Sequence, residues 1–205
     1  MARDRSPIVK QSRREGYALH PKAHKIMAKK SGIPGVHAHG RQTKPSMYSI
    51  QLREKQKVRR LYGMLEKQFA KLMKEAGRTK GQSGQVLLQL LERRLDNVIY
   101  RAGWSVSRRG ARQLASHGHL MVNGTRVDVP SIRVKEGDVI TVRPASMKGH
   151  YFTHLDDVLK ETNQSTLSWM KSDPKKMVIT ITGLPKREEA DPDINEQLIV
   201  EYYSR

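Results

Sequence analysis

At Gly118 the spacing of apolar residues changes from three and four to two, and few folds accommodate that change within fifty residues. Upstream, residues 85–102 (QVLLQLLERRLDNVIYRA) place Leu87, Leu88, Leu91, Leu95, Val98, Ile99 and Ala102 along one side of a predicted helix. Arg93, Arg94 and Arg101 lie off that stripe, and Gly103 ends it. Ser107 is a good N-cap for a second, shorter helix, because its hydroxyl can accept an orphan backbone N–H. Gly118 suits the position just past the end of that helix. Residues 103–106 join the two as a helix-turn-helix. Downstream, Leu120 and Val122 precede Asn123 and Gly124, and Val127 and Val129 follow, the pattern of a hairpin on a type I′ turn. Ile132 and Val134 lead to a second turn at 136–138, and residues 139–142 read as another strand. Residues 93–156 are therefore expected to form a small α+β module.

The rest of the chain reads as mostly helical. Residues 1–45 are basic and interrupted by Gly and Pro, with at most one short helix near residues 22–30. Such an arm buries too little apolar area to fold alone and is expected to order against a partner. Residues 47–76 carry Val58, Leu61, Leu65, Phe69, Leu72 and Met73 at helical spacing, and read as one amphipathic helix. Residues 77–84 (GRTKGQSG) form a linker. A helix is expected near 155–161, a strand at 177–182, an acidic loop at 187–193, and a short tail element burying Leu198 and Val200. The overall expectation is an α+β chain: a basic arm (1–45), a helical domain (46–92) with 157–205 packed against it, and the module at 93–156.

Charge defines the partner. Of the 205 residues, 39 are Lys or Arg against 20 Asp or Glu, a net +19, far more than solubility needs. The excess is uneven: residues 1–80 hold 21 basic and 5 acidic groups, 93–148 hold 11 and 4, and 149–205 hold 7 and 10. A polyanion against the first two-thirds is implied. No apolar stretch approaches the roughly 18–20 residues of a membrane span, and no signal-peptide core precedes the basic start, so a soluble, intracellular protein is expected. Cysteine is absent, excluding disulfides and thiolate metal sites. Aromatic residues make up only 5%, which favours contacts to phosphate over stacking on bases.

Candidate contacts follow. Arg53, Lys55, Lys57, Arg59 and Arg60 form an expected basic outer face on the helix at 47–76. Arg93 and Arg94 flank the module. Ser107, Arg108 and Arg109 stand at a helix N-terminus, where unpaired N–H groups and partial positive charge attract phosphate. Arg112, Gln113, Ser116, His117, His119, Asn123 and Arg126 complete a polar ridge over the helix-hairpin corner. Arg can grip phosphate through two parallel hydrogen bonds. Ser107 also has a cap to serve, and Asn123 a turn.

Three stretches, LLQLLERRLDNVIYRAGW, SRRGARQLASHGHLMVNGTRVDVPSIRVKEGD and INEQLIVEYYSR, resemble the bacterial S-four ribosomal protein family. YSIQLREKQKVRRLYGMLEKQF resembles that family's first basic helix, so the likeness spans essentially the whole chain. It implies a two-domain protein that binds the 5′ domain of small-subunit (16S) rRNA early in assembly. It further implies a place beside protein S-five and near the mRNA entry channel, a role in decoding accuracy and, in some members, repression of its own messenger. It implies no cofactor, small-molecule substrate or membrane. Many members carry zinc-binding cysteines in the arm. Here Val9 and Ser12 stand where the first pair would be. His20, His24, His37 and His39 lie in the same arm, and the spacing of the first two would put them on one helical face, but no metal is expected.

Two other classes fit less well. No P-loop, dinucleotide loop or nucleophile–His arrangement supports an enzyme, and the carboxylates gather in the C-terminal third, away from the basic face. A DNA-binding regulator is suggested by the helix-turn-helix. The hairpin that follows directly, and the long basic arm, suit a folded RNA better.

Overall fold

A computed structural model describes residues 4–30, 32–36, 44–162 and 167–204, and the chain divides into two compact units.

The first unit, Met1–Leu87 with Asp193–Arg205, is helical. In the arm, α1 (Ile8–Glu15) and α2 (Pro21–Lys29) pack together, where the sequence suggested at most one helix. The buried Ser12 hydroxyl donates to the Ile8 carbonyl and accepts from the Leu19 amide, and Leu19 and Ala23 are buried. Arg13 Nε donates to the Gly32 carbonyl at 2.9 Å. The arm therefore has internal ties that the reading of an arm ordered only by its partner did not include.

The single helix expected over 47–76 is two, α3 (Met47–Leu61) and α4 (Glu66–Ala76). The chain turns between them through Gly63, whose φ of 62° other residues rarely adopt. The tail is a helix, α11 (Glu196–Tyr203), which packs on α3. It buries Ile199, not the expected Leu198 and Val200, which are half-buried. Gln51 Nε2 donates to Glu201 at 2.8 Å across that contact. α5 (Ser83–Glu92) follows the linker and leads into the second unit.

The second unit, Leu88–Pro192, contains α6 (Leu95–Arg101) and α7 (Arg108–Ser116). The helix predicted over 85–102 breaks at Arg93 and Arg94. There the backbone leaves helical geometry to hydrogen-bond the 130–134 segment: Leu95 N to Ile132 O at 2.8 Å and Val134 N to Arg93 O at 2.9 Å. The hairpin is β1 (Leu120–Val122) and β2 (Thr125–Val127), with Asn123 at φ 49° and Gly124 at φ 78°, as a type I′ turn requires. β3 (Val139–Val142) pairs with β1. Three short helices follow, α8 (Pro144–Met147), α9 (His150–Thr153) and α10 (Leu155–Thr162).

Two further strands, β4 (Met170–Asp173) and β5 (Val178–Ile181), complete an antiparallel sheet of order β2-β1-β3-β5-β4. The division read from sequence is corrected here. Residues 157–192 belong to the sheet unit, because β5 pairs with β3 in register Ile140 to Ile179, and only 193–205 join the helical unit. Alternation puts Leu120, Ile140, Val142, Ile179 and Ile181 into one core with Leu95, Val98, Ile99, Ala111 and Leu114 of α6 and α7. Trp104 is fully buried there, and its indole N–H donates to Ser172 Oγ at 3.1 Å.

Candidate nucleic-acid interface

Each turn of α7 sends its side chains in three directions. Ala111, Leu114 and Ala115 enter the core. Arg109, Gln113, Ser116 and His117, at i, i+4, i+7 and i+8, are exposed and share one face. Arg108 and Arg112 turn instead into a polar network. Ser107 caps the helix as expected, its hydroxyl accepting from the Gly110 amide at 3.2 Å. The helix ends at Gly118, φ 69°, and the Arg126 guanidinium lies over that glycine, where a Cβ would fall 2.7 Å from Nε. Exposed Arg126 thus lies at the C-terminal end of α7, beside the exposed Ser116 and His117.

Several predicted contacts are drawn into the protein itself. Arg94, 4% exposed, grips Asp96 with both Nε and Nη2, at 3.1 and 2.8 Å. Arg112 Nη1 donates to the same carboxylate at 2.9 Å. Arg108 Nε donates to Asn97 Oδ1 at 2.9 Å, its Nη2 reaches Asp191 at 3.1 Å, and its plane lies 4.5 Å from the Tyr100 ring centroid. Arg93 Nε donates to the Val134 carbonyl at 2.9 Å. Asn123 is held at both ends of its amide, donating to Asp138 and accepting from the Val139 amide. These groups hold the ridge in shape, while Arg109, Gln113, Ser116, His117 and Arg126 present it.

His119 is half-buried, with Nδ1 3.0 Å from Ser146 Oγ and its ring edge-on to Phe152. Burial lowers its pKa below the usual value for histidine, and the neighbouring His117 and Arg143 lower it further. Arg143, which the sequence reading did not single out, also donates its backbone N–H to the His119 carbonyl.

In the helical unit, the expected outer face of α3 is corrected. Arg53 and Arg60 both pair with Glu15, and Lys55, 3% exposed, is bound to Glu66 at 2.8 Å and sits over the Tyr202 ring. Lys57 donates to the Asp193 carbonyl at 2.7 Å and pairs with Glu54. Arg59 donates to Gln56 and to the Met64 carbonyl. Acceptors from several different segments meet this helix, and helical spacing could not reveal them. Burial raises the Glu15 carboxyl pKa above the usual range, against the pull of the two arginines. Burial also acts to raise Glu66, but hydrogen bonds from Lys55 and Tyr203 leave it lowered.

No group of three metal-ligating side chains occurs among the described residues. His20 precedes α2 and uses Nδ1 to accept from the Lys22 amide, so it does not share a helical face with His24. His37 and His39 lie outside the described residues. Among the described residues, no helix is long and apolar enough to cross a membrane.

A capped helix packed on a type I′ hairpin, with an exposed polar ridge at their junction, defines an RNA-binding module of the S4 type. The family model of the S4 domain matches residues 93–140, and that of the ribosomal protein S4/S9 N-terminal domain matches residues 3–92. The chain is 50% identical to the small ribosomal subunit protein uS4 of Herpetosiphon aurantiacus over 211 residues, covering all of both chains. It is 46% identical to that of Roseiflexus and 47% identical to that of Chlorobium phaeovibrioides, again over the full lengths. The chain belongs to the uS4 family of small ribosomal subunit proteins.

Proposed function

We propose that this protein is a non-catalytic primary rRNA-binding protein, which nucleates assembly of the 5′ domain of the small subunit. As a family member it resides in the ribosome, in the cytoplasm. The observation that carries the reading is the ridge of exposed Arg109, Gln113, Ser116, His117 and Arg126 on one side of the module. Its fixed shape suits a folded RNA surface, and its cations suit phosphates.

The family resemblance supports a finer role: a neighbour to protein S-five, beside the mRNA entry channel, with a contribution to translational accuracy. Repression of its own messenger, which the family resemblance implies for some members, is a further role open to this chain.

Binding of the full chain to a 5′-domain rRNA fragment, titrated with salt and competed with duplex DNA, tests the core of this reading. A steep loss of affinity with salt, and preference for the rRNA fragment, are expected. Preference for DNA, or a flat salt response, would overturn it. Reconstitution of subunits without the protein tests the assembly role.

A further inference from the structure

Arg101 and Arg108 converge on a single carboxylate oxygen. Asp191 Oδ2 lies 3.1 Å from Arg108 Nη2 and 3.9 Å from Arg101 Nη2. Each guanidinium is anchored by other groups as well. Arg101 forms a two-pronged pair with Glu92, at 3.0 and 2.8 Å. Arg108 donates Nε to Asn97 and stacks on Tyr100. Removing Asp191 would therefore leave two cations in place, aimed at one point. The three side chains are 14–22% exposed, so the point lies at the rim of the module and not in its core.

We propose that Arg101, Arg108 and Tyr100 form a phosphate subsite for an RNA backbone, held shut in the free protein by Asp191 acting as an internal stand-in for the phosphodiester. This rests on the rRNA-binding reading above. Carboxylate and phosphodiester carry the same single charge, and both match paired guanidinium donors. Because the cations are anchored independently, exchange of one anion for the other needs little rearrangement, the condition that favours tight binding. Rotation of the Asp191 side chain vacates the seat; the loop backbone, held by the Arg187–Glu189 turn and buried Ala190, can stay. Arg109, the next residue of α7, is exposed.

The test uses the full chain and a 5′-domain rRNA fragment. Asp191→Asn should bind roughly fivefold more tightly, as expected for freeing one exposed-rim ion pair. Glu188→Gln, an exposed change of equal charge, should have a much smaller effect. The gain should vanish when Arg101 and Arg108 are both replaced by Ala. In the unaltered protein, NMR resonances of the Arg108 side-chain nitrogens and the Asp191 carboxyl carbon should shift on adding RNA. Unchanged or weaker binding by a folded Asp191→Asn protein overturns the proposal, as does a gain equal to that of Glu188→Gln or one that persists without the two arginines. If Asp191→Asn does not fold, static NMR resonances in the unaltered complex overturn it. Failure of the unaltered protein to bind the fragment defeats the rRNA reading instead.

Discussion

Arg112 and Asp96, sixteen residues apart, are joined by a 2.9 Å charge-assisted hydrogen bond on a carboxylate that Arg94 already grips with two nitrogens. One acid thus ties the start of α6 to the middle of α7. Replacing Asp96 with Ala strands the buried Arg94 guanidinium and takes an ion-pair partner from Arg112. Breaking a buried pair in this way costs about 3–5 kcal/mol. Urea unfolding should show a loss of about that size, whereas Gln113→Ala on the exposed face of α7 should change stability by less than about 0.5 kcal/mol.

Arg108 and Arg109 are adjacent, yet they are expected to fail differently. Arg109→Ala combined with Arg126→Ala removes two exposed cations of the ridge. It should weaken rRNA binding and reduce the slope of log affinity against log salt by about one for each phosphate no longer neutralised. Arg108→Ala should lower the melting temperature, because Asn97, Asp191 and Tyr100 are each deprived of a partner. Thermal melts beside filter binding separate the two cases.

Gly118 should not tolerate a side chain. Its φ of 69° disfavours any other residue by about 1–2 kcal/mol, and a Cβ would also push the flexible Arg126 guanidinium from its place over the helix end. Gly118→Ala should therefore lower both stability and rRNA affinity, while Arg126→Ala should lower affinity alone. Equal melting temperatures for Gly118→Ala and the parent protein would contradict this.

The environment of His119 makes stability depend on pH in one direction. Its folded pKa is depressed, so near neutral pH both folded and unfolded states hold it uncharged. As pH falls below about 6.5, the unfolded chain takes up the proton more readily. Stability should therefore be intact above that value and decline as pH drops through it. His119→Gln should flatten the decline between about pH 7 and about pH 5.5 in chemical denaturation.

The helix-hairpin module was legible because its signals are local: the Ser107 cap, the Gly118 stop and the Asn123–Gly124 turn each act within a few residues. What was not legible depends on distant partners. Nothing near Arg94 announces that residues 130–134 will break its helix, or near Arg108 that Asp191 will claim it. Periodicity set Arg108 and Arg109 side by side as equals; Asp191, arriving from elsewhere, draws Arg108 inward. The same holds for Lys55, an outer-face residue by spacing and a buried one once Glu66 and Tyr202 are in place. Among the short strands, β4 (MKSD) has no apolar alternation to betray it.

The pairing of β3 with β5, and of α3 with α11, sets a timetable for synthesis. A chain emerging from its N-terminal end exposes β3 as an open strand edge until residues 178–181 have been made. α3 likewise lacks the cover of Ile199 until the last few residues follow. Both units are finished by late-arriving segments, so a product terminated before residue 178 ends with two incomplete surfaces, an open edge prone to aggregation among them. Truncated copies should be recognised and degraded rather than accumulate to compete for RNA.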